Sequence, residues 1–85
     1  MWQVYILECK NKSLYTGITN NLKRRFRDHL NKTARYTSYN PPVKILYTEN
    51  FRTRSRALKR EIEIKSWKRD EKIALIKTNP FAEFD

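Results

Sequence analysis

Residues 2 to 8, Trp-Gln-Val-Tyr-Ile-Leu-Glu, form a near-continuous run of β-branched and aromatic side chains. A strand that alternates apolar and polar positions hides one face, whereas one that is apolar at successive positions has to be covered on both. The run therefore reads as a central strand with packed layers on either side. A chain of 85 residues encloses one modest core, so it is expected to form a single domain built around that strand.

The next residues fold the chain back. Cys9-Lys10-Asn11-Lys12 makes a short polar connection, and Ser13-Leu14-Tyr15-Thr16-Gly17-Ile18 reads as the returning strand of a hairpin. If the connection holds an odd number of residues, odd-numbered positions oppose each other, and Tyr5, Tyr15 and the chain's only glycine, Gly17, share a face. Paired tyrosines on adjacent strands are also ordinary core filler, and that reading stays open.

Residues 20 to 31 predict a helix, with Leu22, Phe26 and Leu30 lining one side and Thr19 or Asn20 as its cap. At roughly 100° per residue, Arg25 and His29 stack one turn apart. His29 falls within about 20° of Leu22, at the margin of the apolar stripe, and Arg25 about 40° further out. Both can reach a groove at the edge of whatever the helix packs on. Taken alone, they are also read as one cation among many and a packed or solvated edge residue.

Residues 32 to 42 have no periodicity and end in Pro41-Pro42, which excludes a regular helix or inner strand and predicts a loop. The loop interleaves Arg35 with Tyr36 and Tyr39, a composition suited to contacting a phosphate backbone and stacking on an exposed base. Equally, the tyrosines can fold back on the core. Val43 to Glu49 alternates as a third strand, with Val43, Ile45 and Tyr47 on one face. Thr53 can cap a second helix from about Arg54 to Trp67. Asp70 and Glu71 can open a further helical turn carrying Ile73, Leu75 and Ile76, either continuous with the second helix or separated from it near Ser66 to Arg69. Residues 1–78 are thus expected to form the domain and 79–85 an irregular tail.

The second helix holds an anomaly. Taking Ala57 as 0°, the ideal wheel puts Ile64 at about 340°, Leu58 at about 100° and Ile62 at about 140°, so the apolar arc centres near 60°. Glu61 falls at about 40°, inside that arc, whereas Glu63 lies about 200° away from it on the solvated face. A carboxylate facing a core costs several kcal/mol unless a cation, metal or hydrogen-bond donors compensate it. A structural ion pair with an arginine and a metal-binding role both satisfy that requirement.

The balance of 19 Lys plus Arg against 9 acidic residues, a net charge of +10 on 10.4 kDa, is spread through the chain and points to an anionic polymer as partner. No stretch is long and apolar enough to span a bilayer, which favours nucleic acid over membrane. Cys9 is the only cysteine, so it cannot form an internal disulfide; it reads as a small strand-end hydrophobe. With no signal-type apolar region, a cytoplasmic location is expected. No repeat, P-loop, zinc pattern or GxSxG elbow is present.

Val4-Tyr5-Ile6, followed ten residues later by Tyr15-Thr16-Gly17 and then by Arg25, His29 and the isolated helical Glu61, resembles the GIY-YIG nuclease family. The resemblance covers roughly residues 2 to 76 and is strongest to small single-domain bacterial members, extending to Ala34-Arg35-Tyr36-Thr37 and to Ala57-Leu58 before the acid. Val4 stands where the first tripeptide has Gly, and Thr16 where the second has Ile. The supporting Asn that some members place after the acid has no counterpart here except Asn79.

The resemblance implies an α+β fold, a three-stranded antiparallel sheet flanked by helices in the order β-β-α-β-α with a further C-terminal helix left open. It also implies hydrolysis of a DNA phosphodiester with one divalent metal, Mg²⁺ or Mn²⁺. Carried over by position, Tyr15 orients or deprotonates the attacking water, and Tyr5 holds the water or phosphate. Arg25 neutralises charge on the scissile phosphate, His29 assists proton transfer, and Glu61 binds the metal. DNA contacts are expected from Gly17, Lys23, Arg24, Arg27, Arg35, Tyr36 and Tyr39. A tyrosine ionises near pH 10, so its use as a base requires a neighbouring cation, for which Arg25 and the metal are the candidates. Direction to a DNA structure, or by a protein partner, in repair or recombination is the expected setting. The alternative is a basic module that grips nucleic acid without cutting. A small ribosome-associated or structural basic protein fits the charge but gives no reason for Glu61.

Overall fold

The structure is a computed structural model and describes residues 1–30 and 42–78. Strand β1 (Trp2–Cys9) lies between β2 (Leu14–Thr19) and β3 (Pro42–Phe51), antiparallel to both. Helices α1 (Leu22–Leu30), α2 (Arg54–Lys65) and α3 (Arg69–Thr78) complete an α+β fold of order β-β-α-β-α-α. The central position of β1 accounts for its apolar run, because Val4, Ile6 and Leu7 are fully buried and Tyr5 nearly so.

Three residues, Lys10 to Lys12, lie between Cys9 and Ser13, the pair that closes the hairpin. Lys12 N–H donates to the Cys9 carbonyl at 2.8 Å and Cys9 N–H to that of Ser13 at 2.9 Å, while Lys12 turns through the left-handed region with φ 70°. The odd length sets the register, in which Tyr5 opposes Gly17 and Leu7 opposes Tyr15. Tyr5, Tyr15 and Gly17 therefore share one face, toward α1. The other face presents Val4 and Ile6, which form the core with Tyr47, Ala57 and Ile64. Trp2, Leu14, Ile18, Phe51, Trp67, Leu75 and Ile76 close around it.

Strand β3 departs from the expected alternation. Tyr47 pairs with Ile6 and Ile45 with Leu7, so Leu46 is an extra residue and the two apolar neighbours lie on opposite faces. A second register shift leaves Val43 exposed. Pro42 opens the strand at the sheet edge, where a missing N–H is tolerated.

Each helix start has its own cap. The cap of α1 is Asn21, not Thr19 or Asn20: Arg24 N–H donates to Asn21 Oδ1 at 3.1 Å, and Thr19 Oγ1 accepts from Asn21 N–H at 3.0 Å. Thr53 caps α2 as expected, accepting from Arg56 N–H at 3.2 Å. The chain breaks after Ser66, and α3 starts afresh with the Glu71 carboxylate accepting from Lys68 N–H at 3.1 Å, half of a capping box. Among the described residues no helix is long and apolar enough to cross a membrane. The expected loop at 32–42, apart from Pro42, and the expected tail at 79–85 lie outside the described residues.

Candidate active site

The β1–β2 register and α1 bring four of the expected side chains together. The Tyr5 and Tyr15 rings lie 6.3 Å apart between centroids, and His29 stands edge-on to both, at 6.0 Å and 5.0 Å. Tyr5 Oη is 3.1 Å from His29 Nε2, and Arg25 Nε donates to the same phenol oxygen at 3.4 Å. Arg25 can only donate, so the phenol oxygen accepts from it, while the sense of the bond to His29 Nε2 follows the imidazole tautomer. A neutral imidazole accepting at Nε2 carries its proton on Nδ1.

This contact turns α1 on its axis. The apolar spacing predicts Leu30 inside and His29 at the margin, but His29 is fully buried and Leu30 is 49% exposed. Two aromatic ring contacts and a buried hydrogen bond at His29 outweigh the burial of one leucine.

Burial, helped by the charge of Arg25, lowers the His29 pKa to about 4, so the imidazole is neutral at physiological pH. Burial raises Tyr5 to about 12, opposed by the hydrogen bond from Arg25 and reinforced by the charges of Tyr15 and Glu61. The hydrogen bond to Tyr5 leads in holding Arg25 above its ordinary value, against burial, with Tyr15 adding to it. The cluster thus contains one permanent cation and two neutral groups that hold their protonation states.

Gly17, expected among the DNA contacts, is instead buried in mid-strand under the Tyr5 phenol. Its φ is not positive, so the position requires glycine for space and not for a turn. Lys23, Arg24 and Arg27 are exposed on α1. Arg24 and Arg25 also line a polar cavity of about 240 Å³ with Thr19, Asn20, Asn21 and Asp28. Arg35, Tyr36 and Tyr39 lie outside the described residues.

Glu61 comes from α2, on the opposite face of the sheet, and is not at the centre of the buried arc. Ala57 and Ile64 are fully buried while Ile62 is 61% exposed, so the arc centres on Ala57 and Ile64 and Glu61 sits on its flank. Its side chain is 14% exposed, with Lys65 Nζ 3.6 Å from Oε2. Among the described residues it pairs with Lys65 and with no guanidinium, and its charge acts on the Tyr5 phenol only weakly, as the smallest of the influences on that group. Among the described residues no three His, Cys, Asp or Glu side chains gather as a metal cage. A lone carboxylate suits Mg²⁺, which keeps several waters and takes further oxygens from substrate phosphates, and does not suit a closed zinc site.

One polar group on this face escapes sequence reasoning. Tyr47 Oη donates to Glu49 Oε2 at 2.5 Å, and Arg60 Nε lies 3.2 Å from Glu49 Oε1. Burial, then the bond to Glu49, raises Tyr47 to about 12. The only sequence signal is Glu49 two residues beyond Tyr47, on the same face of β3.

Comparison with protein families matches residues 1–74 to the GIY-YIG catalytic domain. The chain belongs to the GIY-YIG family, a family of nuclease domains. It is 45% identical over 83 residues to a UPF0213 protein of Cupriavidus necator, covering 96% of this chain and 90% of that one. It is 47% identical over 79 residues to a UPF0213 protein of Syntrophus aciditrophicus, covering 91% of each. The solution NMR structure of a UPF0213 protein from Bacillus halodurans aligns over 93% of this chain and 86% of that one, with TM-score 0.61 and 37% identity.

Proposed function

We propose that this GIY-YIG domain is a metal-dependent DNA endonuclease. What carries the reading is the convergence of Tyr5, Tyr15, Arg25 and His29 over the bare backbone of Gly17, within reach of the charge of Glu61.

The electrostatics divide the labour between the phenols. Tyr5, held between Arg25 and His29 and pushed up to about 12, keeps its proton and serves as a donor to water or phosphate. That leaves Tyr15 to orient the attacking water and take its proton. Neutral His29, hydrogen-bonded to Tyr5, provides a place for a proton to pass. Arg25, the fixed cation, meets the charge that develops on the scissile phosphate. Glu61 would hold a Mg²⁺ or Mn²⁺ ion, which when bound neutralises charge on the phosphate and leaving oxygens. Lys23, Arg24 and Arg27 face solvent beside the cluster and suit contact with the flanking backbone. A DNA structure or a protein partner directs cutting, in repair or recombination within the cytoplasm.

The test is incubation with branched, flapped and plain duplex DNA, with Mg²⁺ or Mn²⁺ and with chelator. Cutting is expected only with metal, and Glu61→Gln is expected to bind the same DNA without cutting it. Absence of cutting on every substrate, with Glu61→Gln binding like the parent and binding indifferent to metal, would leave a basic nucleic-acid-binding module.

A further inference from the structure

We infer that Arg60, which touches none of the clustered side chains described above, is a positioning residue for Glu61. The assignment rests on the nuclease reading and extends it to the question of how α2 is held.

Besides the core packing of Ala57 and Ile64, Arg60 ties α2 to the edge strand β3. Its Nε faces both oxygens of Glu49 on β3, at 3.2 Å and 3.4 Å, and that carboxylate is itself gripped by the Tyr47 hydroxyl. Its Nη1 pairs with Glu63 one turn along the helix. Its guanidinium lies 5.2 Å from the ring centroid of Trp67, at the elbow between α2 and α3. Arg60 and Glu49 are only 23% and 27% exposed, so the pair is less screened than an ordinary surface ion pair. A planar donor group held by Glu49 on β3 and lying on Trp67 beyond the helix end, with Glu63 of its own helix beside it, fixes a rotation as well as a distance.

That rotation determines where Glu61 points. Successive residues lie about 100° apart on a helix, so with Arg60 turned to β3, Glu61 is carried to the other flank of the buried Ala57–Ile64 line. The apolar wheel by itself favours a different setting, in which Ile62 is sheltered and Glu61 moves toward the middle of the core. The exposure of Ile62 is the mark of the rotation that Arg60 imposes. Without the anchor, α2 can roll to bury Ile62 and carry Glu61 off this flank toward the core. Replacing supports behind a metal ligand typically costs about 10- to 100-fold in metal affinity or activity.

The experiment compares wild type, Arg60→Met, Glu49→Ala and Glu49→Gln. Mn²⁺ binding is followed by EPR on complexes with a phosphorothioate duplex, cleavage by steady-state kinetics, and folding by thermal melts. Arg60→Met and Glu49→Ala are expected to weaken Mn²⁺ binding and lower kcat by about tenfold or more while KM for DNA stays within about threefold. Glu49→Gln keeps an acceptor for Tyr47 and Arg60 and should recover most of both. A folded Arg60→Met that binds Mn²⁺ and turns over like wild type overturns the assignment and leaves the nuclease reading standing. Loss of fold in both Arg60→Met and Glu49→Ala overturns it too, since the network is then purely structural. Wild type that takes up no Mn²⁺ on DNA removes the nuclease reading itself, and the role of Arg60 with it.

Discussion

The phenol of Tyr5 lies directly over Gly17: a Cβ on Gly17 would come within 2.5 Å of Tyr5 Oη, 2.7 Å of Cζ and 3.2 Å of Tyr15 Cε1. The ring cannot yield easily, because Tyr5 is 1% exposed and its hydroxyl is held by His29 and Arg25. Gly17→Ala should therefore cost about 1–3 kcal/mol through overpacking, measured by urea denaturation, and displace the phenol from His29. Cleavage should fall with it. A Gly17→Ala protein with parental stability and an unmoved His29 resonance would show that the close approach is not maintained in solution.

His29 is the chain's only histidine, so one imidazole titration reads it without ambiguity. Its folded pKa of about 4 lies below the ordinary value of 6.5, so unfolded chains take up the proton first as the pH falls. The associated stability is fully present above pH 6.5 and is lost progressively between there and about 4. The full loss is on the order of 3 kcal/mol. His29→Gln should flatten the pH dependence of unfolding in the part of this window above the carboxylate range. An imidazole titrating near 6.5 in the folded protein would contradict the buried neutral state.

Thr16 occupies the position where the family tripeptide has isoleucine. It is 3% exposed, and its Oγ1 has no hydrogen-bond partner among the described residues. A buried hydroxyl without a partner carries its desolvation penalty uncompensated, and valine matches its shape without the polar atom. Thr16→Val is therefore expected to stabilise the fold by about 0.5–1.5 kcal/mol in urea unfolding. Its side chain points to the face opposite Tyr5 and Tyr15, so cleavage should not change. Destabilisation would mean that the hydroxyl has a partner in solution.

The strands were legible because their signals are local. The apolar run of β1 required cover on both faces, and an odd connection sufficed to place Tyr5, Tyr15 and Gly17 together. Both helix faces depart from the apolar wheel by one mechanism. A hydrophobic wheel assumes that apolar residues choose the buried side, yet α1 turns to seat His29 against two tyrosines, and α2 turns to seat Arg60 on Glu49. In each case a polar residue with a specific partner on another strand displaced an apolar one, Leu30 or Ile62, toward solvent. Such partners are distant in sequence and leave no periodicity. The bulge at Leu46 was hidden for a related reason, since it depends on how β3 meets β1 and not on the composition of β3 itself.

The Lys65 ammonium lies 3.6 Å from Glu61 Oε2, one helical turn along α2. A helical pair at this spacing contributes only about 0.3–0.5 kcal/mol to stability, so its main consequence here is for what else can approach the carboxylate. Lys65 is half exposed, which screens its charge, but a divalent cation arriving at Glu61 must still displace it or tolerate it as a like-charged neighbour. Lys65→Met removes that competitor and leaves the carboxylate in place. The Mg²⁺ concentration for half-maximal cleavage should fall about two- to fivefold, corresponding to roughly 0.4–1 kcal/mol, with little change in melting temperature. The difference should narrow as salt is raised, since both partners are within reach of solvent ions. If Lys65→Met instead needs more Mg²⁺, the lysine contributes to the bound state, and its place beside Glu61 is that of a second phosphate contact.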